Sequence, residues 1–176
     1  PNALGWWGLR EAIARHYGRA YGVAVDAEDV VVTTGSSGGF VLSFMAAFDP
    51  GDRVALASPG YPAYRNILTG LGVEVIDLPT TLEDNFQPTV ARLKALDQDP
   101  DGLIVASPSN PAGTMIAPAE FKALVDHCRE RSIRLISDEI YHGITYGVPG
   151  VTALAHTRDA VVINSFSKYY SMTGWR

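Results

Sequence analysis

Short runs rich in valine, isoleucine and leucine alternate with stretches of helical period along the whole chain. That alternation constrains the fold more than any other feature. Residues 8–21 place Leu9, Ile13, Tyr17 and Tyr21 on one helical face. "DVVVTTG" (29–35) then reads as a buried strand, and "SSGGFVLSFMAAF" (36–48) as a helix with Val41, Met45 and Phe48 aligned. The turn "DPGD" (49–52) leads into a strand "RVALAS" (53–58), a helix "AYRNILTGLG" (63–72) and a strand "VEVIDLP" (73–79). "DGLIVASPSN" (101–110) is a strand running into a polar loop. "APAEFKALVDHCRERS" (117–132) is a helix with Pro118 near its start, where a missing N–H does no harm. "IRLISDEIY" (133–141) and "AVVINSFSK" (160–168) complete the strands. Strands apolar on both faces, separated by helices, predict an α/β fold of three layers: a mostly parallel sheet with helices on both faces. No repeat, low-complexity tract or linker interrupts the pattern, so residues 1–176 read as one domain.

Composition narrows the partners. The net charge is −5, and lysine and arginine are scattered without a basic run, which argues against nucleic acid. The single cysteine, Cys128, excludes an internal disulfide and, with no Cys/His cluster, argues against zinc; it reads as a small core residue. No apolar run approaches the roughly 20 residues of a membrane-spanning helix. The opening "PNALGWWGLREAIARHYG" lacks the charged and apolar regions of a signal peptide, so a cytoplasmic address is expected.

In a sheet of this kind, ligand sites lie beyond the carboxyl ends of the strands. Five polar loops fall there. "TGSSGG" (34–39) is either a plain glycine-rich turn or a phosphate cradle, with backbone N–H groups, a helix dipole and the Ser36 and Ser37 hydroxyls as donors. It matches neither GxGxxG nor the P-loop. In "SPGYPAYRN" (58–66), Tyr61 between Gly60 and Pro62 is a turn residue packing on the core or a flat face for stacking a planar ligand. Asn110 in "SPSNPAGT" (107–114) precedes a proline that fixes its direction, though an isolated Asn-Pro is usually just a turn. Asp138 in "SDEIY" (137–141) is a helix N-cap or a buried carboxylate that needs a cation or strong donor, and Tyr141 reaches the same place from the following turn. Finally, "SFSKYYSMTGWR" (165–176) sets Lys168 among serines just after a strand, as a solvated loop residue or as a nucleophile. Together a phosphate cradle, a stacking face, a buried carboxylate and a lysine suit a planar, phosphorylated, cationic heteroaromatic aldehyde, which describes pyridoxal phosphate.

At this point the chain resembles the class I/II aminotransferases, fold-type I pyridoxal-phosphate enzymes, over essentially its whole length. The matching segments are "LGWWGLREAIARHYG", "VVVTTGSSGGF", "DPGDRVALASPGYPAY", "SPSNPAGTMI", "SDEIYHGITY" and "SFSKYYSMTGWR", in family order. The resemblance implies that Lys168 carries the cofactor by its aldehyde carbon and that Asp138 pairs with the pyridine nitrogen. Tyr141 and Asn110 would bond the ring's 3-oxygen, and Tyr61 would stack on the ring. Ser165 and Arg176 would hold the phosphate, helped by Gly35, Ser36 and Ser37. Lys168, Asp138 and Tyr141 are the catalytic residues on this reading. It implies transfer of an amino group between an amino acid and a 2-oxo acid, in a homodimer. The alternatives are a C–S β-lyase or other elimination enzyme of the same fold, or the aminotransferase-like domain of a transcriptional regulator. Residues 1–176 would be a partial large domain, without the flanking N-terminal segment and the C-terminal small domain that grips the substrate carboxylate. His127 is expected on the surface, and His142 beside the site.

Overall fold

The computed structural model describes residues 2–175, and the sheet they form is wholly parallel. Helix α1 (Trp7–Tyr21) ends at Gly22, which takes the left-handed conformation. A single 3-10 turn (Ala27–Asp29) precedes α2 (Gly35–Ala47). Then follow β1 (Arg53–Ser58), α3 (Pro62–Gly70), β2 (Glu74–Pro79), α4 (Val90–Lys94), β3 (Gly102–Ala106), α5 (Pro118–Glu130), β4 (Arg134–Asp138), a 3-10 turn (Ala153–Ala155) and β5 (Val161–Ile163). Proline opens both α3 and α5, where its fixed φ suits the first helical position.

The strand order is β2-β1-β3-β4-β5. The chain starts at β1, moves outward to β2, then crosses back past β1 to lay down β3, β4 and β5 in turn. That reversal between β1 and β3 is a topological switch point, where the loops above the two strands diverge and leave a crevice.

Side-chain alternation along the strands feeds two cores, one on each face of the sheet. Val54, Leu56, Ile104, Ile136 and Ile163 pack against Phe40, Phe44 and Phe48 of α2 and its end, and against Tyr64 and Leu68 of α3. Ala55, Leu103, Val105 and Leu135 face Leu93 of α4 and Phe121, Leu124, Val125 and Cys128 of α5. The expected three-layer fold is therefore present.

Three local expectations are corrected. Residues 29–35 form no strand: the backbone at Val30 is extended, but Val31 is 51% exposed and the Val32 N–H donates to the Leu4 carbonyl. A β-branched run becomes a strand only with a ladder partner, and this one is tied instead to α1, where Arg10 donates to the Glu28 and Val30 carbonyls. In α2 the inward face is Phe40 and Phe44, with Phe48 beyond; Val41 and Met45 point to solvent. The helix is apolar nearly all round, so periodicity alone selected the wrong stripe and the larger aromatic rings won the core. His127 is buried on α5, beside Leu124 and Cys128, rather than on the surface. Cys128 is buried as expected, and burial lifts its thiol to about 12. The short helix α4 was not foreseen; Thr89 caps it by accepting from the Arg92 N–H.

The two faces of α2 give a direct test. Phe44 is fully buried, so Phe44→Ala should cost about 3–5 kcal/mol. Val41→Ala, on the exposed face, should stay within about 0.5 kcal/mol. Chemical denaturation of both variants measures the difference, and equal losses would mean the helix is rotated from the position described.

Candidate active site

Four strands of one parallel sheet end on one edge, so the loops that follow β1, β3, β4 and β5 share that edge. Their local geometry aims specific side chains. After β1, Gly60 lets the chain turn sharply: a Cβ there would lie 2.4 Å from the Ala57 carbonyl oxygen. The turn delivers Tyr61 as the residue before Pro62 and the start of α3. One helical turn on, Tyr64 is buried and packs edge-on to both Tyr61 and Phe40. A cavity of about 300 Å³ opens at the switch point, walled by Leu56–Ser58 of β1, Ile104 and Ala106 of β3, Tyr61, Tyr64 and Asn110.

Asp138 ends β4 and is only 4% exposed. Its Oδ1 accepts from the Ile140 N–H at 3.0 Å, which forms a turn where a helix cap was the alternative expectation. Its Oδ2 accepts from the Tyr64 hydroxyl. Burial pushes the carboxyl above its ordinary range; the bonds from Tyr64 and Ile140, and the charge of Lys168, pull it back. Burial and the adjacent Asp138 charge also raise the Tyr64 phenol, so Tyr64 stays a donor. Tyr64 therefore links the cavity to Asp138. The cavity walls themselves do not include Asp138, Tyr141 or Lys168.

Beyond β5, the Ser167 N–H donates to the Ser165 hydroxyl at 2.9 Å, and the two serine hydroxyls bond at 2.6 Å. This serine turn presents Lys168, whose Nζ sits 5.6 Å from the centre of the Tyr141 ring. Helix α2 begins beside β5: a Cβ on Gly39 would touch Ile163 at 3.4 Å. Gly35 opens that helix with φ +77, a conformation suited to glycine, and Ser36 and Ser37 lie in its first turn.

The structure thus gathers Asp138, Tyr141 and Lys168 into one group; Tyr64 joins Tyr61 to it and lines the cavity that Asn110 also walls. Gly35, Ser36 and Ser37 form a helix N-terminus next to β5. Arg176 lies outside the described residues. Tyr64 escaped the sequence reading, although the repeated tyrosine in "YPAY" at a helix start was a signal that two rings share one turn. His142 is buried; its Nδ1 lies 2.8 Å from the Tyr21 hydroxyl and its Nε2 lies 3.0 Å from the Ser107 carbonyl oxygen. It supports the site rather than lining it. Among the described residues no cluster suits a metal ion, and no helix is long and apolar enough to cross a membrane.

The residues fit a cationic heteroaromatic phosphate. A buried carboxylate with one neutral donor on each oxygen keeps capacity for a charged N–H. A lysine stands close enough to lower that carboxyl, and a helix N-terminus with serines sits nearby.

Comparison with known proteins follows the same line. The chain is 55% identical to a valine–pyruvate aminotransferase of Mycobacterium tuberculosis over 99% of its own length and 45% of that protein's. It is 34% identical to a probable N-acetyl-LL-diaminopimelate aminotransferase of Bacillus subtilis. A crystal structure of an aminotransferase from Mycobacterium tuberculosis superposes with a TM-score of 0.97 at 54% identity, covering all of this chain and 46% of the other. The chain thus spans about half the length of the relatives it matches. Residues 6–176 match the model of the class I and II aminotransferases, and the chain belongs to that family.

Proposed function

We propose that residues 1–176 are the cofactor-binding core of a longer pyridoxal-phosphate-dependent aminotransferase, which moves an amino group between an amino acid and a 2-oxo acid. The observation that carries this reading is the buried Asp138 carboxylate at the end of a parallel strand, met by the Tyr64 hydroxyl and the Ile140 N–H. Coverage of 45% of the 55%-identical relative supports a flanking segment and a second domain outside these residues.

Bound pyridoxal phosphate supplies an electron sink for charge developing at a substrate's α-carbon. The chain's own residues would do the rest. Asp138 holds a proton at the ring nitrogen, and Tyr64 fixes the carboxylate's orientation. Tyr61 offers a flat face to the ring. Asn110 and Tyr141 donate to the ring's 3-oxygen. Ser36, Ser37 and Ser165, with the α2 N-terminus and Arg176, hold the phosphate. Lys168 would hold the group by its aldehyde carbon, and its amine is the base that would move a proton at the substrate's α-carbon. The half-exposed ring of Tyr141 under Lys168 keeps the amine aimed at that position.

The 55%-identical relative makes valine and pyruvate the first pair to assay. We take the assembled enzyme to be a cytoplasmic homodimer; the exposed apolar side chains of Leu42 and Met45 on α2 favour a partner surface there.

Two measurements on the full-length protein test the proposal. Borohydride should fix pyridoxal phosphate covalently to the native protein and not to Lys168→Ala; labelling of the variant would mean that another amine binds the cofactor. Tyr64→Phe removes only the hydroxyl that bonds Asp138. A hydrogen bond to a charged group contributes about 1.5–3 kcal/mol, so cofactor affinity should fall roughly 10- to 100-fold. Unchanged affinity would remove Tyr64, and the geometry built on it, from the site.

A further inference from the structure

Consecutive residues at the end of β4 point to opposite layers. Asp138 shares the face of Ile136 and meets Tyr64 of the α2/α3 layer. Glu139 shares the face of Leu135 and meets the Thr152–Ala153 turn of the other layer. Glu139 is 1% exposed. Its Oε1 accepts from the Ser137 hydroxyl, the Thr152 hydroxyl and the Ala153 N–H, at 3.1, 3.1 and 2.8 Å. Its Oε2 is buried without a hydrogen-bond partner, 3.6 Å from His142 Nδ1. That separation is too long for a hydrogen bond and short enough for each group to feel the other's charge.

The His142 ring has a defined tautomer. A carbonyl oxygen only accepts, so Nε2, 3.0 Å from the Ser107 oxygen, carries the proton. The uncharged ring then accepts the Tyr21 hydroxyl at Nδ1. The ionisable groups facing Glu139 are Asp138 from β4, His142 from the following turn, and the phenols Tyr17 and Tyr21 from α1. Lys168 acts on Asp138 from the other layer, and among the described residues no lysine or arginine partners Glu139. A buried carboxylate with no cation is costly as an anion.

We propose that Glu139 and His142 hold one proton between them at neutral pH, and that this uncharged pair is a positioning element. It ties the loop leading to Asn110, through the Ser107 carbonyl, to the turn that carries Asp138 and Tyr141 and to helix α1. Burial raises the Glu139 carboxyl to about 7 and lowers the His142 imidazole to about 4. The raised carboxyl contributes stability that is present below its ordinary value of 4.5 and is lost as pH rises through about 7. The lowered imidazole contributes stability that is present above 6.5 and is lost as pH falls through about 4. Loss of the shared proton in alkali leaves a net negative charge directly behind Asp138. Only the consequence for the cofactor rests on the function proposed above.

Histidine-selective nitrogen NMR of the full-length protein between about pH 5 and 9, with Glu139→Gln alongside, tests the pair itself. His142 should keep the nitrogen shifts of a neutral ring protonated at Nε2 over the whole range. A small inflection near neutrality should report the Glu139 carboxyl, and Glu139→Gln should abolish it. A change to imidazolium shifts within the range, or an inflection that persists in Glu139→Gln, overturns the proposal. Tyr21→Phe removes the donor to Nδ1 and should let His142 protonate at higher pH; no change would be equally fatal. Pyridoxal phosphate titrations over the same range read the positioning role. Native affinity should weaken above neutrality by up to about tenfold per pH unit, as one linked proton requires, while Glu139→Gln should match it at neutrality and stay flat. Parallel curves for both proteins would exclude the positioning role. If neither protein binds the cofactor at any pH, the cofactor reading fails, and the NMR measurement still decides the pair.

Discussion

The hydrogen bond from Tyr64 to Asp138 is the contact on which the site depends. An aspartate buried at the end of a central strand is expensive unless strong donors meet it. Here Tyr64 comes from the first turn of α3, two strands away from β4 in the sheet order, and the Ile140 N–H comes from the turn just beyond. These are neutral donors, so they fix the carboxylate's direction without cancelling its charge. What remains is an oriented, desolvated carboxylate on which, among the described residues, Lys168 exerts a cationic influence. Such a group is worth its folding cost where a cation binds, which supports the proposed pairing of Asp138 with a ring nitrogen.

The fold makes that contact available through topology. Because β1 lies between β2 and β3, the helices switch faces after β2: α2 and α3 cover one side, α4 and α5 the other. The loops above β1 and β3 therefore diverge, and the cavity forms between them. Tyr61 and Tyr64 enter from the first of these loops, Asn110 from the second. Lys168 arrives on the turn after β5, the strand beyond β4, so it approaches Asp138 from the side of the sheet away from β1 and Tyr61.

Much of this was legible in the sequence, because strands and helices with strong local periodicity declare themselves. All five strands, the three longest helices after α1 and the polar loops at the strand ends follow from the pattern of apolar residues and from turn chemistry. What failed depended on partners. The valine run at residues 30–32 has the composition of a strand but, among the described residues, no strand beside it to form a ladder. Helix α2 has apolar residues on every side, so only packing could choose Phe40 and Phe44 over Val41 and Met45. His127 was placed outside by its polarity, although it stands three residues after Leu124 and next to Cys128 on the buried stripe. Tyr64 meets Asp138 across 74 residues of chain, a contact that local reasoning does not reach.

The strand end at Asp138–Glu139 shows how one fold supplies two carboxylates with different electrostatics. Both are buried, and they are neighbours in sequence, yet the pleat sends them to opposite layers. Asp138 emerges where the carboxyl edge of the sheet opens, within the influence of a lysine, and burial is partly offset there. Glu139 enters a layer closed by hydroxyls, a backbone N–H, phenols and an imidazole, where hydrogen bonds to one oxygen offset burial in part and, among the described residues, no cation does. Burial favours the uncharged form on both sides, and in front of the strand the charge of Lys168 works against it. Exchanging the two residues would spoil both sets of contacts: a glutamate's longer stem would overshoot Tyr64, and an aspartate would fall short of the Thr152–Ala153 turn. The order Asp-Glu at this strand end is accordingly a structural requirement as well as a chemical one.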